Sequence, residues 1–371
     1  MIERGPAKYF HGREQEIHDF QYLMLQTMDR QMGSSMLIQG PPGVGKTALI
    51  EELKKHALQK GWQVFKLSNE CLFDPKELFT KLTKKTKPKA FQKSFGIDLK
   101  VFQMNIATAS VSQTNALNEA LVLSQPTLLY LDEAQTLHDF LDHPDRPRIT
   151  SFLNTYHNLE SKKGFVLLLG GLNHSQEVLQ QLGISRWNTG TVQHLKRLEP
   201  TTESQIIDDW LMKEIKTKDD PTHWIQQISQ KTDGWPRHLQ SYCNAISQYV
   251  AKGGHLTNET LHQVIAYGDE LKKKNYEERC FGLSRKTKQI ITSVIQSLPE
   301  AFDIEDMMEA FSKTWSSEKA QDIYQKILSR GIIQMDQAGV SSVPVPSFRS
   351  FLIEHYGKDR SRELPNHGLS R

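Results

Sequence analysis

Short apolar runs alternate with longer, more polar segments along the first 200 residues of the chain. Five of these runs have the length of strands, at 36–38, 62–67, 128–131, 165–169 and 192–195. Most lack the polar–apolar alternation of a strand with one exposed face, which favours strands that are buried on both faces. Helix-favouring stretches such as 48–58 lie between them. The pattern therefore predicts an α/β fold with a parallel sheet.

The pattern changes near residue 200, beyond which helical periodicity dominates. The next predicted helices are 203–212, 221–231, 237–249 and 258–278. Three more helices and a pair of short strands precede a last helix from Pro346; they lie at 286–297, 304–311, 318–329, 332–335 and 342–345. Three helices followed by a hairpin are typical of a winged-helix domain. Residues 357–371 are expected to form a disordered tail.

The most informative stretch joins the first strand to the helix at 48–58, where residues 40–47 read G-P-P-G-V-G-K-T. Its glycines let the backbone turn tightly and bring N–H groups against phosphate oxygens. Lys46 supplies a charge for the β- and γ-phosphates, and the Thr47 hydroxyl is placed to bind Mg²⁺. The helix N-terminus favours the same anions. The predicted nucleotide-binding residues here are Gly40, Pro41, Pro42, Gly43, Val44, Gly45, Lys46, Thr47 and Ala48.

Two acidic residues follow the strand at 128–131, in the run T-L-L-Y-L-D-E. Ligands of parallel α/β sheets bind at the carboxyl ends of the strands, which is where Asp132 emerges. Asp132 is expected to hold the Mg²⁺ shell, and Glu133 to orient and deprotonate the attacking water. A strand that merely ends in acids is the alternative. Paired with the phosphate loop, the two residues predict ATP hydrolysis.

G-P-P-G-V-G-K-T and L-L-Y-L-D-E together resemble the AAA+ ATPases, and within them the origin-recognition initiator and STAND-like branch of bacterial and archaeal proteins. The resemblance covers about residues 9–250 well and the remainder in outline. It implies a three-layer P-loop core, a helical lid and a C-terminal winged-helix domain, with ATP and Mg²⁺ bound. The corresponding ranges are 1–199, 200–280 and 281–356.

The resemblance also gives a role to residues before the phosphate loop. Phe10, Gly12 and Arg13 lie in an F-x-G-R-E-x-E pattern that folds over the adenine in initiator-type ATPases. Gly12 permits the bend, and Phe10 supplies an apolar wall. A helix is expected to open at Phe10 and run to about Met32. An ordinary helix entry is the alternative for this segment.

Three polar residues are implied to read the γ-phosphate. Asn173 follows the strand at 165–169 and resembles the residue that senses this group, although capping the next helix also explains it. Arg186 resembles an arginine finger that reaches the site of a neighbouring subunit, which implies a homo-oligomer; an exposed arginine without that role is the alternative. Arg237, in the G-W-P-R run that opens a lid helix, resembles a second sensor lying over the nucleotide.

The composition indicates the compartment in which the protein works but does not identify its partner. Charged residues are 24% and hydrophobic residues 37% of the 371-residue chain, as in soluble globular proteins. No apolar run reaches membrane-span length, and the N-terminus lacks a signal-peptide core. Three scattered cysteines fit a reducing compartment. A cytoplasmic protein with no membrane partner is expected.

Double-stranded DNA is one candidate partner. Eight lysines lie in the segment 76–100 against two acids: Lys76, Lys81, Lys84, Lys85, Lys87, Lys89, Lys93 and Lys100. They form either a phosphate-contacting surface or a solvated face. Residues 281–371 hold twelve Lys and Arg against eleven Asp and Glu, a weak balance for DNA binding. Docking of a protein partner on the winged helix is therefore an equal alternative.

Three functions remain open on the sequence. The first is an ATP-dependent molecular switch whose nucleotide state controls assembly and partner binding. The second places that switch in a DNA transaction, as in a replication initiator or a transposition-type regulator. The third is a STAND-like signalling or defence ATPase that works through a protein partner without touching DNA.

Overall fold

The computed structural model describes residues 7–67, 126–144, 146–147, 149–150, 153, 164–184, 187, 190–215, 220–336 and 338–357. The chain divides into two compact units, Met1–Cys243 and Asn244–Arg371. The predicted domain boundaries at 199/200 and 280/281 are not tested by this division and stay predictions. The lysine-rich segment 76–100, Arg186 and nearly all of the predicted tail lie outside the described residues.

A parallel sheet forms the centre of the first unit. Within the described residues it has five strands: β1 (Gly33–Gln39), β2 (Gln63–Lys66), β3 (Thr127–Leu131), β4 (Phe165–Gly171) and β5 (Val192–His194). Their spatial order is β2-β3-β4-β1-β5, and every pairing is parallel. The predicted α/β class and parallel sheet are confirmed.

Both faces of this sheet are covered, as the apolar runs require. Every residue of β3 and β4 is buried. One face packs in a cluster with apolar residues that follow β3 and β4, among them Leu137, Phe140 and Leu179. Helices α1 (Glu14–Arg30) and α2 (Lys46–Gln59) also pack on the sheet. The sheet is thus a middle layer between helices.

The register brings the carboxyl ends of three strands together. Gln39 at the end of β1 pairs with Gly171 at the end of β4, and Leu131 at the end of β3 pairs with Leu169. Because these strands are neighbours, the segments that leave them start from one edge of the sheet. That edge carries the phosphate loop, Asp132 and Asn173.

Helix α1 is shorter at both ends than the sequence pattern predicts. Gly12 and Arg13 have φ values of 74° and 68°, and Gln31 has a φ of 54°. A left-handed residue cannot continue a right-handed helix. The expected start at Phe10 and end near Met32 are therefore wrong, and the helix runs from Glu14 to Arg30.

The remaining elements of the first unit are largely helical. A 3₁₀ helix spans Ala134–Phe140, and a π-helical turn spans Trp210–Ile215. Among the described residues, further α-helices are α3 (Ser175–Gln181), α4 (Pro200–Asp209) and α5 (Thr222–Thr232). Helix α6 (Pro236–Ala251) begins in this unit and continues past Cys243. Pro200 and Pro236 each occupy a first helical position, where the missing N–H has no cost.

The second unit contains further helices and a small antiparallel sheet. Its helices are α7 (Leu261–Arg279), α8 (Arg285–Ser297), α9 (Ile304–Ser312), α10 (Ser317–Ser329) and α11 (Pro346–Tyr356). Its strands are β6 (Ala301–Phe302), β7 (Gln334–Met335) and β8 (Ser341–Ser342), in the order β6-β8-β7. The sequence pattern missed β6, which is only two residues long. The winged-helix assignment stays a prediction.

Side-chain caps explain where two of these helices begin. Ser284 accepts a hydrogen bond from the Thr287 N–H, and Ser316 accepts one from the Lys319 N–H.

Across the described part of the chain, no helix is both long enough and apolar enough to cross a membrane.

Candidate nucleotide-binding site

The loop between β1 and α2 has the shape that its glycines predict. Gly43 and Gly45 have φ values of 82° and 100°, which only glycine adopts at low cost. Helix α2 then begins at Lys46. The Lys46 ammonium is buried and donates to the carbonyls of Gly40, at 2.9 Å, and Pro41, at 3.0 Å. The glycine loop, the Lys46 ammonium and the N-terminus of α2 therefore lie together at the end of β1.

Helix α6 lies directly against this loop. The Arg237 N–H donates to the Gly43 carbonyl over 3.1 Å. A Cβ atom on Gly43 would come within 2.8 Å of the Arg237 Cβ, and one on Gly45 within 3.4 Å of the Pro236 Cγ. A residue with a Cβ at position 43 would therefore displace the first turn of α6. The Arg237 side chain meanwhile donates to Gln240, at 3.4 Å.

Thr47 and Asp132, predicted to share Mg²⁺, are in contact. The Thr47 hydroxyl donates to Asp132 Oδ2 over 2.7 Å, and the Glu133 N–H donates to Asp132 Oδ1 over 3.0 Å. Burial raises the pKa of Asp132 and the hydrogen bond from Thr47 lowers it, while the nearby charge of Glu133 adds to the rise. A divalent cation would favour the ionised form here. The oxygen donors fit Mg²⁺, which prefers hard oxygen ligands.

Glu133 is held in an unusual conformation. Its φ of 61° is in the left-handed region, which costs energy for a residue with a Cβ. Its Oε2 accepts a hydrogen bond from Gln135 Nε2 at 2.5 Å. Gln135 is buried, and its Oε1 accepts from the Leu172 N–H at 3.1 Å. Gln135 therefore ties the carboxylate of Glu133 to the chain just beyond β4.

Asn173 lies in the same place, immediately after β4. Its carbonyl accepts a hydrogen bond from Gln39 Nε2 at 2.7 Å, which links it to the end of β1. The residue that precedes α3 is His174, which makes no side-chain cap hydrogen bond to the helix. The sensor role of Asn173 stays a prediction.

The segment before α1 is tied to the phosphate loop through Arg13. Its Nη2 donates to the Lys196 carbonyl at 2.5 Å and to the Val44 carbonyl at 3.3 Å. Gly12 lies against Thr202, because a Cβ there would come within 2.9 Å of the Thr202 Cγ2. Phe10 is half-buried two residues earlier. The Arg13 side chain thus holds the segment before α1 against the phosphate loop. Gly12 and Arg13 also form the turn that the sequence predicts.

Sequence reasoning missed three buried polar residues in this region: Gln39, Gln135 and Glu203. Their positions in the sequence do not by themselves imply burial. Gln39 ends an otherwise apolar strand, and Gln135 falls two residues after Glu133. Glu203 occupies the first turn of α4, where an acid is also typical of an ordinary exposed helix start. Only the packing of the elements distinguishes these residues from surface residues.

A glycine loop with its lysine, a threonine–aspartate pair and a following glutamate define a P-loop nucleotide-binding site of Walker type. Residues 9–182 match the family model of the AAA ATPase domain, and this part of the chain is therefore an AAA ATPase domain. The expected place among the AAA+ ATPases is thereby confirmed. A comparison of the whole sequence with curated proteins gives no match.

Solved structures agree with this assignment at the level of the fold. The Walker-type ATPase PABY2304 of Pyrococcus abyssi aligns with a TM-score of 0.59 and 16% identity, over 95% of this chain and 99% of that chain. The ORC2 protein of Aeropyrum pernix, solved as ADPNP–ADP complexes, aligns with a TM-score of 0.56 and 14% identity, over 95% of this chain and 96% of that chain. Identities this low establish a shared fold and nothing finer.

Proposed function

We propose that this protein binds and hydrolyses ATP with Mg²⁺, and that its nucleotide state controls assembly and partner binding. The observation that carries the proposal is the contact of Thr47 with Asp132 at 2.7 Å beside the phosphate loop. It joins the two expected metal-binding groups across 85 residues of sequence. Glu133 follows at once, with its carboxylate held by a neighbouring amide.

Phosphate binding falls to the loop and to Lys46. The backbone N–H groups of 43–47 hold the phosphate oxygens, and the Lys46 ammonium turns from its two carbonyl partners toward the β- and γ-phosphates. Thr47 and Asp132 would hold Mg²⁺, which would neutralise charge on the phosphate oxygens. Arg13 keeps the segment before α1 against the phosphate loop. This segment forms the side of the site that faces the adenine.

Hydrolysis is assigned to Glu133 as the general base. Its carboxylate takes a proton from a water whose oxygen attacks the γ-phosphorus, while the bond from that phosphorus to the β–γ bridging oxygen breaks. The products are ADP and inorganic phosphate. Because Gln135 occupies Oε2, the other carboxylate oxygen of Glu133 is the one that receives the proton. Asn173 and Arg237 are assigned to the γ-phosphate, and Arg186 to that of a neighbouring subunit.

Gln135→Glu should lower ATP turnover about 10-fold and leave ATP affinity within about twofold. The new carboxylate can still accept from the Leu172 N–H, but it repels Glu133 where the amide had donated. Steady-state phosphate release and calorimetric titration with a non-hydrolysable ATP analogue measure the two effects. Gln181→Glu, at an exposed glutamine on α3, is the matched control. Equal turnover in wild type and Gln135→Glu would remove Gln135 from the mechanism.

A DNA transaction is the setting we favour for the switch. The resemblance of its motifs to those of the initiator-type ATPases and the lysine-rich segment 76–100 support it. The third helix of the predicted winged helix offers less. Its Lys326 pairs with Asp322 at 2.6 Å, and Arg330 donates to the Phe281 carbonyl. These engaged charges favour the runner-up, a STAND-like ATPase whose C-terminal unit docks a protein.

Salt dependence separates these two settings. Double-stranded DNA should bind in low salt, with an affinity that falls by orders of magnitude between about 50 and 200 mM salt. Reversing the lysines at 84, 85 and 87 to glutamate should weaken binding and flatten that slope. The same reversal at 272–274 changes the net charge equally and serves as the control. Fluorescence anisotropy with a labelled duplex measures both. No binding at 50 mM salt would favour the protein-docking alternative.

A further inference from the structure

Glu203, in the first turn of α4, is a buried acid with no metal or phosphate role in the proposed mechanism. Its side chain is 3% exposed. One of its oxygens, Oε1, accepts hydrogen bonds from the Thr232 hydroxyl and from the Gly234 N–H, the second at 3.2 Å. No basic side chain in the described residues forms an ion pair with it. Burial raises the pKa of its carboxyl, so the placement is costly.

The groups that Glu203 holds belong to the turn that leads into α6. Asp233 and Gly234 are both left-handed, with φ values of 50° and 71°. The Gly234 carbonyl accepts from the Leu198 N–H at 2.8 Å, and a Cβ on Gly234 would come within 2.6 Å of the Leu198 carbonyl oxygen. The turn 232–235 therefore has one position, fixed from α4 on one side and from the exit of β5 on the other.

That turn determines where Arg237 stands. Pro236 and Arg237 open α6 two residues after Gly234, and the Arg237 N–H contacts the Gly43 carbonyl of the phosphate loop. Because both ends of this short connection are fixed, a shift of the turn moves the first turn of α6 across the loop. Glu203 acts on the loop only through these residues and touches no phosphate-binding atom itself.

Helix α4 also contacts the segment before α1, which is assigned to the adenine. Thr202, next to Glu203, lies against Gly12. At the far end of the helix, Asp209 Oδ2 lies 2.7 Å from His11 Nε2. One ten-residue helix therefore contacts the segment assigned to the adenine and the turn that places Arg237.

From this geometry we propose that Glu203 is a positioning residue that sets the preference of the site for ATP over ADP. Its carboxylate locks the turn 232–235, so that Arg237 stands where a γ-phosphate can reach it. When the turn is released, Arg237 loses that position, and the site binds ATP and ADP more equally. The inference rests on the proposed function, in which Arg237 reads the γ-phosphate.

The test is the ratio of the ADP and ADPNP dissociation constants, measured by calorimetry on the full chain. Glu203→Ala should shrink the preference for ADPNP at least fivefold. Glu203→Gln should keep it, because its carbonyl oxygen can accept the same two hydrogen bonds. Glu199→Ala removes an exposed acid at the residue before α4, which makes no side-chain cap bond, and should change nothing.

A double-mutant comparison distinguishes positioning from mere stability. The double variant with Glu203→Ala and Arg237→Ala should show no smaller preference for ADPNP over ADP than Arg237→Ala alone. Both changes remove the same contribution, that of Arg237. If the two losses multiply, or if Glu203→Ala keeps the wild-type ratio, the inference is wrong. If Arg237→Ala itself keeps the wild-type ratio, the proposed sensor role is wrong instead.

A smaller change covers the case in which Glu203→Ala does not fold. Thr232→Val removes one of the two hydrogen bonds to Glu203 and keeps the shape of the side chain. It should shrink the preference in the same direction by about twofold to threefold. A Thr232→Val protein that is folded by circular dichroism and has the wild-type ratio would also overturn the inference.

Discussion

Lys46→Ala is expected to weaken ATP binding about 100-fold, or about 2.7 kcal/mol, and to abolish measurable turnover. The Lys46 ammonium is buried at the phosphate loop and already makes two hydrogen bonds with loop carbonyls. Hydrogen bonds between an ammonium and a phosphate are worth more than those to neutral carbonyls, so we expect the side chain to move to the nucleotide. Titration with a fluorescent ATP analogue measures the loss.

Lys55→Ala is the matched control for this change. Lys55 is on the same helix, half-exposed, and pairs with Glu52 at 2.8 Å. Surface pairs of this kind contribute little, so its nucleotide affinity should equal that of the wild type. If Lys46→Ala binds ATP as tightly as Lys55→Ala does, the phosphate loop is not the nucleotide site.

Glu133→Gln is expected to slow hydrolysis at least 100-fold while ATP affinity stays within about threefold. The amide keeps the size of the side chain, and its carbonyl oxygen can still accept from Gln135. It has no basic oxygen for the proton of the attacking water. The variant should therefore retain bound, intact ATP, which single-turnover chromatography of the nucleotide detects.

Glu177→Gln, at an exposed acid in the first turn of α3, controls for the loss of one negative charge. It should hydrolyse ATP at the wild-type rate. A Glu133→Gln protein that converts its bound ATP to ADP as fast as this control would assign the base to another group.

The parts of the site that were predicted from the sequence are those that local patterns determine. Gly43 and Gly45 indicate a tight loop, and a buried apolar run that ends in an acid indicates the carboxyl end of a strand. The nearness of Thr47 and Asp132 followed from these, because the parallel strands of one sheet place their carboxyl ends along the same edge. Long-range placement was predictable here because the sheet itself was.

The contacts of Gln135 and Glu203 were not predictable in this way. Gln135 reaches a backbone group 37 residues away, and Glu203 reaches Thr232 across 29 residues. Such pairings depend on how loops and helices pack at the end of the sheet, for which the sequence carries no periodic signal. The start of α1 was misplaced for a related reason, since Arg13 is left-handed and its side chain contacts Lys196 and Val44, which are distant in sequence.

Phosphate release from ATP is the most direct test of ATP hydrolysis by this protein. It would be followed with Mg²⁺ across a series of protein concentrations, for the wild-type chain beside Glu133→Gln. The expected result is release by the wild type at least 100 times faster than by Glu133→Gln, with a rate per chain that rises with concentration as Arg186 completes the neighbouring site. Equal release by the two proteins at every concentration would contradict it.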